Sequence, residues 1–331
     1  MALRLIQLQT ANNDRLVAAL DDGERAVRLE GVESVYALAM SAIDEGISLA
    51  HAAARRRTRD MIMLNDPAKG LRLLAPIDHP DPAHLHLTGT GLTHLGSAES
   101  RDKMHALAAA GGAQTDSMRI FLQGIKGGKP AAGAVGCQPE WFYKGNGFSV
   151  AATNDDLPVP SFALDGGEES EIAGIYVIDA AGSARRLGFC LANEFSDHVT
   201  ERENYLWLAH SKLRQAALGA ELLAGDLPAN VQGVSAVLRN GAEIWRKPFL
   251  SGEDNMSHTV ANLEHHHFKY ELFRKPGDVH VHFFGCATLS FSDGVKTQAG
   301  DVFEIRADAF LLPLRNRMSA AAPAGFSVQP L

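Results

Sequence analysis

Glu168-Glu169-Ser170-Glu171 stands directly before an apolar run, and a chain with so much charge at the mouth of a buried strand has few ways to fold. The run Ile172-Ala173-Gly174-Ile175-Tyr176-Val177-Ile178 reads as a strand with a buried face. Asp179 to Ser183 is turn chemistry around Gly182, and Arg186 to Ala192 reads as a returning strand. An antiparallel hairpin centred near Gly182 sets Glu169 opposite about Glu194. Residues two apart on a strand share a face, so Glu169 and Glu171 point the same way. Three carboxylates then converge at the open end of one hairpin. So close together they repel and raise one another's pKa values unless a cation neutralises them. Three carboxylates without a thiolate suit a hard, oxygen-preferring ion such as Mg²⁺. The competing reading is a set of solvated acids at a strand end, with Glu168 extending an acidic turn.

The same residues carry a resemblance. Glu169-x-Glu171 before an apolar strand, followed by Gly188-Phe189-x-x-x-Asn193-Glu194-x-Ser196 and then Lys212, resembles the fumarylacetoacetate hydrolase superfamily. Glu194 stands where that family usually has Asp, a change that keeps the carboxylate. The likeness runs, with gaps, from the N-terminus to about Asn316. The wording of Asn193–Lys212 and Asn262–Ser290 is most similar to a sugar-acid branch, the 2-keto-3-deoxy-aldonate dehydratases. The resemblance implies an α+β chain. Its catalytic domain, a mixed β-roll over 76–320, would sit behind a small α+β N-terminal domain over 1–75, with 321–331 a tail. It also implies a homodimer or a dimer-based oligomer.

At 331 residues the chain is long enough for one large domain or for a small and a larger one. A hydrophobic content of 46% with 21% charge is ordinary for a soluble globular protein. The net charge of −8 argues against nucleic acid or an anionic membrane as a partner, while a local site for a small acid stays open. Cys137, Cys190 and Cys286 are odd in number and form no close pair, which fits a reducing cytoplasm better than a disulfide framework. The first residues lack an apolar core with a cleavage site, and no run approaches ~18 apolar residues. A soluble, cytoplasmic protein is expected.

Before the hairpin, Leu16–Leu20, the Asp21-Asp22-Gly23 turn and Ala26–Leu29 read as a small β-hairpin. Val35–Ile47 and Leu49–Arg57 have helical spacing, and Arg55-Arg56-Arg57 reads as a solvated helix face. Pro76 to Pro82 is a linker, and His84-Leu85-His86-Leu87 alternates like a strand that ends at Thr88 to His94. Superfamily relatives place a hydrolytic His on a lid helix soon after this point. Here Ser97 falls at about that place, with Glu99 two residues on. The missing base counts against carbon–carbon hydrolysis and for elimination; His94 reads as a packed or hydrogen-bonded residue. Ser97 also suits the N-cap of a helix from Ala98 to about Ala110. Gly111–Gly136, dense in Gly and Ala, lacks an apolar face for firm docking and reads as a mobile lid or a surface loop.

Glu140 to Gly147 contains Lys144 among glycines that allow close approach to an anion, so Lys144 is a candidate for a substrate carboxylate. Thr200-Glu201-Arg202-Glu203 reads as a capping box opening a helix to about Ala209, with Lys212 just beyond it. Val231–Arg239, Asn240-Gly241 and Ala242–Trp245 give a clean hairpin signal. Of the adjacent His265, His266 and His267, at most one is expected to face inward, because helical neighbours diverge by about 100°. His280 and His282 share a face of a strand, the spacing a His-type zinc site would use. Where the superfamily has a Thr near its substrate this chain has Cys286, and Thr288 is the expected substitute.

The resemblance then implies a chemistry. Mg²⁺, or Mn²⁺ or Ca²⁺ in its place, would sit on Glu169, Glu171 and Glu194. The substrate would be a 2-oxo sugar acid, 2-keto-3-deoxy-pentonate, losing its C3 proton and C4 hydroxyl to give 2-oxoglutarate semialdehyde. Lys212 and Lys144 would handle protons and the carboxylate, and Glu99 would protonate the leaving hydroxyl. Ser97, Thr288 and Cys286 would touch substrate. The alternative on the same metal site is an acylpyruvate or diketo-acid hydrolase with His94 or His105 as base. A zinc enzyme centred on His280 and His282, and a non-catalytic sugar-acid binding protein, complete the expectations.

Overall fold

A computed structural model describes residues 2–66, 70–96, 116–323 and 325–331. The chain opens with β1 (Arg4–Gln9), β2 (Arg15–Leu20) and β3 (Arg25–Leu29), an antiparallel meander in which β2 and β3 form the expected hairpin and β1 is an additional strand. Helices α1 (Val35–Asp44) and α2 (Leu49–Arg56) follow, each capped by a serine, Ser34 and Ser48, that accepts an N–H of the first turn. Arg55 and Arg56 pair with Glu45 on the helix surface at 2.9 and 3.5 Å. Next come β4 (Arg57–Met63), β5 (Arg72–Leu73) and β6 (Leu85–Gly89). Beyond helix α3 (Asp116–Gly127) lie β7 (Phe142–Asn146), β8 (Val150–Ala152) and β9 (Asp156–Val159).

The acidic segment leads into β10 (Ser170–Ile178), which returns as β11 (Ala184–Asn193). Short helices α4 (His198–Glu203) and α5 (Leu208–Lys212) precede β12 (Ala216–Leu218) and β13 (Glu221–Ala224). The second half contains the hairpin β14 (Val231–Arg239) and β15 (Ala242–Ser251), helix α6 (Val260–Phe268), β16 (Val279–Phe283), β17 (Val302–Ala307) and β18 (Leu314–Ala320). One sheet runs β4-β3-β2-β1-β13-β11-β10-β16-β6-β7, and a second runs β15-β14-β17-β18-β9. The ladder crosses the boundary expected near residue 75, since β1 pairs with β13 from Arg4↔Leu223 to Ile6↔Glu221. Among the described residues no helix is long and apolar enough to cross a membrane.

Strand β10 is buried along its whole length and serves two cores. Ala173, Ile175 and Val177 join the cluster with Leu38, Ala39 and Ala42 of α1, while Ile172 joins Val237, Phe303 and Ile305 of the second sheet. Alternation along the strand separates the two sets. Burial of this kind is the main source of stability, at about 25 cal/mol per Å² of apolar surface. The antiparallel ladder runs from Ile178↔Ala184 to Ser170↔Asn193, and Leu187 is an extra residue between the Ile175↔Gly188 and Tyr176↔Arg186 pairs. That β-bulge advances the register by one.

Four expectations need correction. The helix expected from Thr200 begins at His198 instead: Asp197 takes the Thr200 N–H at 2.9 Å, which makes Asp197 the N-cap. The same helix breaks at Asn204, and Lys212 closes α5 rather than lying beyond it. In the glycine-rich stretch 111–136, the described part contains helix α3 and is tied down through backbone. Gly128 and Thr259 share a hydrogen bond of 3.1 Å, Gly136 N–H reaches Asn262 Oδ1 at 2.8 Å, and a Cβ on Gly128 would fall 2.3 Å from the Ser257 carbonyl. The glycines dock the segment by close approach, a route that hydrophobic patterning does not register. Lastly, two of the three adjacent histidines are buried: His267 faces the sheet, and His266 is covered by the Gly136 carbonyl at 3.1 Å. The helix expected from Ala98 to Ala110 lies outside the described residues.

Candidate active site

The bulge at Leu187 sets the geometry of the open end. Beyond the last ladder pair, Glu194 N–H donates to the Glu169 carbonyl at 3.0 Å, so Glu169 and Glu194 stand directly opposed. Glu169, Glu171 and Glu194 are all buried. Glu171 Oε2 accepts the Gly285 N–H at 2.7 Å, which fixes one oxygen and leaves Oε1 without a hydrogen-bond partner. Gly285 has φ +88°, and a Cβ there would fall 2.6 Å from Thr93 Oγ1, so only glycine gives this close approach. Glu194 Oε1 is likewise buried without a hydrogen-bond partner. The Cys286 thiol lies 4.0 Å from Glu169 Oε2, and one donor atom each from Glu169, Glu171 and Cys286 fall within 4.8 Å of one another.

Lys212 is the counter-charge. Its Nζ donates to Glu169 Oε1 and lies 3.4 Å from Glu194 Oε2, 3.3 Å from Ser196 Oγ and 3.5 Å from Glu201. Burial works against its charge, yet the carboxylates of Glu169, Glu194 and Glu201 hold it well above the usual lysine range. Burial also opposes ionisation of Glu169, but Lys212 and His198 outweigh it and keep that carboxyl far below the usual range. Glu171 has no such cation in contact; burial and the charges of Glu194 and Glu169 raise it strongly. Burial pushes Glu194 up to about 7 against the pull of Lys212. Within the triad, Lys212 and His198 pull Glu169 down, whereas burial raises Glu171 and Glu194.

Lys144 sits differently from the expectation. It is fully buried, with Nζ donating to the carbonyls of Phe195 at 2.8 Å and Lys212 at 3.0 Å, and 3.7 Å from Glu194 Oε1. Burial lowers it to about 8. It braces the segment carrying Glu194 and Lys212 from behind, and two of its three donors are spent on backbone. Thr288 Oγ1 donates to the Pro248 carbonyl at 3.3 Å, away from the carboxylates. His94 has both ring nitrogens engaged, near Thr93 at 3.2 Å and Ser251 at 3.0 Å, and burial drives it down to about 4. Ser97, Glu99 and His105 lie outside the described residues.

Three residues went unrecognised in the sequence. Glu168 is fully buried and grips Ser290, taking its N–H at 2.8 Å and its hydroxyl at 2.7 Å, which anchors the loop that carries Gly285 and Cys286. Strand parity was the available signal: neighbours of Glu169 face the other way. His198 Nε2 lies 3.2 Å from Glu169 Oε1, and Nδ1 makes an ion-pair contact of 3.4 Å with Asp165. Burial would lower His198, but Asp165 and Glu169 raise it to about 9, so it is a second cation on Glu169. Glu140 is bonded to the Tyr205 hydroxyl, and burial raises its pKa. Its carboxylate packs on Gly91, where a Cβ would fall 2.0 Å from Oε2.

The donor set passes a test for a hard divalent cation. Among the described residues, Glu171 Oε1 and Glu194 Oε1 are buried without hydrogen-bond partners, and Glu169 Oε2 has only the thiol contact. Buried carboxylate oxygens left unpaired are costly unless a cation takes them. Oxygen donors select Mg²⁺, Ca²⁺ or Mn²⁺ over softer ions.

The sequence matches no protein-family model and no curated protein. Solved structures do match over nearly the whole chain. A 2-keto-3-deoxyarabinonate dehydratase is 17% identical with a TM-score of 0.69, covering 97% of this chain and 100% of that one. A 2-keto-3-deoxy-D-arabinonate dehydratase complexed with magnesium and 2,5-dioxopentanoate is 16% identical with a TM-score of 0.68 at the same coverage. A 5-carboxymethyl-2-hydroxymuconate delta-isomerase from Mycobacterium smegmatis, also 16% identical over 97% of this chain and 100% of its own, has a TM-score of 0.59. The chain has the mixed α+β fold of the fumarylacetoacetate hydrolase-like enzymes.

Proposed function

We propose that this chain is a divalent-metal-dependent hydro-lyase that converts a 2-keto-3-deoxy-pentonate to 2-oxoglutarate semialdehyde, with Mg²⁺ the preferred ion. The observation that carries the reading is the buried triad Glu169, Glu171 and Glu194, in which Glu171 Oε1 and Glu194 Oε1 accept no hydrogen bond among the described residues. A fold shared with a dehydratase that holds magnesium and 2,5-dioxopentanoate supports it. Glu169, Glu171 and Glu194 would hold the ion, which would polarise a 2-oxo acid so that its C3 proton becomes acidic.

The chain's own residues have separable roles in this reading. Lys212, held protonated by its carboxylates, is a fixed positive charge beside the C2 oxygen as negative charge builds there. His198 holds Glu169 ionised and oriented. Loss of the C3 proton and of the C4 hydroxyl with one proton balances as release of water, and tautomerisation yields the semialdehyde. Glu99 is the proposed proton donor to the leaving hydroxyl. Glu140, whose pKa is raised by burial and which is bonded to Tyr205, is the alternative donor among the described residues. The thiol of Cys286, at the rim of the triad, would contact bound substrate.

The test is turnover of D- and L-2-keto-3-deoxypentonate with Mg²⁺, for wild type and Glu171→Gln, coupled to a semialdehyde dehydrogenase. Metal-dependent product from wild type alone is the expected result and selects the stereoisomer. Pyruvate release from an acylpyruvate, with no product from either pentonate, would replace the dehydratase reading with hydrolysis.

A further inference from the structure

A second cluster of ligating side chains lies on the other face of the long sheet. Strands β6 and β16 run parallel, with Leu85 paired to Val279 and His86 to His280. His86 and His280 therefore share one face of the sheet, and His84 and Asp278 stand just before the first residue of each strand. His84 Nδ1 meets Asp278 Oδ1 at 2.7 Å, and His86 Nε2 meets Asp278 Oδ2 at 3.3 Å. One ring nitrogen of His86, one of His280 and one oxygen of Asp278 lie within 4.8 Å of one another. His280 is fully buried, and its Nε2 makes no hydrogen bond of ordinary geometry among the described residues. An edge of a tetrahedron with metal–ligand bonds of about 2.1 Å is about 3.4 Å long. The His86–Asp278 separation of 3.3 Å already has that length.

We propose that His86, Asp278 and His280 bind one borderline divalent transition ion of the Zn²⁺ class, at a site separate from the carboxylate triad. Two imidazoles and a carboxylate suit such an ion, whereas Mg²⁺ prefers an all-oxygen set. Outer contacts hold the ligands in place. His84 holds the second oxygen of Asp278, and its side chain is 52% exposed, so the site lies close to solvent. His267 Nε2 lies 3.0 Å from His280 Nδ1, and Trp141 N–H donates to His267 Nδ1 at 3.2 Å. His282, which spacing pairs with His280, is instead held by Thr88 at 2.8 Å and stacks on His267. Distance separates the two centres as well. His280 pairs with Tyr176, five residues along β10 from Glu171, roughly 17 Å at strand rise.

Binding has a proton consequence along this chain of rings. A metal on His280 Nε2 places that ring's proton on Nδ1, which then donates to His267 Nε2. The His267 proton must move to Nδ1, where it opposes the Trp141 N–H. The indole contact is given up, so Trp141 reports occupancy.

The experiment uses full-length protein carrying Glu169→Gln and Glu171→Gln, so that the triad cannot hold an ion. It is exposed to Zn²⁺, dialysed and analysed for metal while Trp emission is followed. The expected result is one equivalent of Zn²⁺ per chain that excess Mg²⁺ does not displace. Adding His86→Asn should weaken retention by roughly tenfold or more. The emission change should vanish in Trp141→Phe. Asp278→Asn is the second variant should His86→Asn fail to fold, judged by its melting curve. No retained Zn²⁺ in the triad variant, or retention indifferent to His86→Asn and Asp278→Asn, would overturn the proposal.

Discussion

Glu194 N–H and the Glu169 carbonyl share a 3.0 Å hydrogen bond, so two carboxylates leave the hairpin from opposed positions and meet at one ammonium, that of Lys212. Lys212 is the one cation among the described residues that touches both, while His198 also contacts Glu169 and Lys144 lies 3.7 Å from Glu194. Such an arrangement holds together only while that cation, or a replacement for it, is present.

Lys212→Met removes it. Breaking a buried ion pair costs about 3–5 kcal/mol when the remaining charge is left uncompensated. Metal-free Lys212→Met should therefore melt well below wild type, and Mg²⁺ should raise its melting temperature more than it raises that of wild type. Turnover should fall by about 10² or more at saturating Mg²⁺, since the fixed charge beside the C2 oxygen is gone. Paired melting curves with and without Mg²⁺, together with steady-state rates, check both. Equal Mg²⁺ shifts for the two proteins would mean that Lys212 and the metal do not share carboxylates.

Glu171→Gln should act on the ion rather than on the fold. The amide still takes the Gly285 N–H through its oxygen, which is 2.7 Å away in the native side chain. A ligand present at 100 times its Kd stabilises by about 2.7 kcal/mol. That Mg²⁺-dependent increment, read by urea denaturation, should be lost in the variant while its metal-free stability stays close to wild type.

Glu168→Ala tests the loop anchor. It leaves the buried Ser290 N–H and hydroxyl without their acceptor, which costs about 1–3 kcal/mol. Because Ser290 closes the loop from Gly285, KM should rise more than kcat falls. A variant that lost kcat alone would place Glu168 in the chemistry instead.

Acid stability should report the histidine layer. Burial, and then neighbouring His280, push His282 down to about 3; burial holds His267 well below its usual value. Unfolded, each takes a proton near pH about 6.5. The unfolded chain thus binds more protons between those limits, and stability rises with pH across the window from about 3 to about 6.5. It is fully present above that window and is lost on acidification, by about 1.4 kcal/mol per pH unit per histidine. Urea midpoints in chelator at several pH values should show the slope, and His282→Asn should flatten it.

The hairpin and its carboxylates were legible because alternation and turn chemistry are local. What surrounds them was not. Lys144 reads as a candidate for a substrate carboxylate, or else as an exposed lysine, until the carbonyls of Phe195 and Lys212 close over it, contacts spanning 51 and 68 positions. The break at Asn204 hides behind a plausible capping box, since Asp197 competes for the same Thr200 N–H and wins. At most one inward histidine is expected of the three, and the distant Gly136 carbonyl covers His266 as a second. The Lys144 and His266 misses are long-range contacts overriding a local preference, whereas the Asp197 cap is a local competitor three residues away.

The extra residue at Leu187 works as a phase adjustment between the two ends of one hairpin. Without it the ladder set by the Ile178↔Ala184 pair would bring Asn193 opposite Glu169, and Glu194 would turn to the opposite side of the sheet. The turn at Asp179–Ser183 can therefore be exchanged for any loop that keeps Ile178 opposite Ala184, since the correction is made between it and the carboxylates. Deleting one residue at 187 would leave composition and hydrophobic pattern nearly untouched and still dismantle the carboxylate cluster.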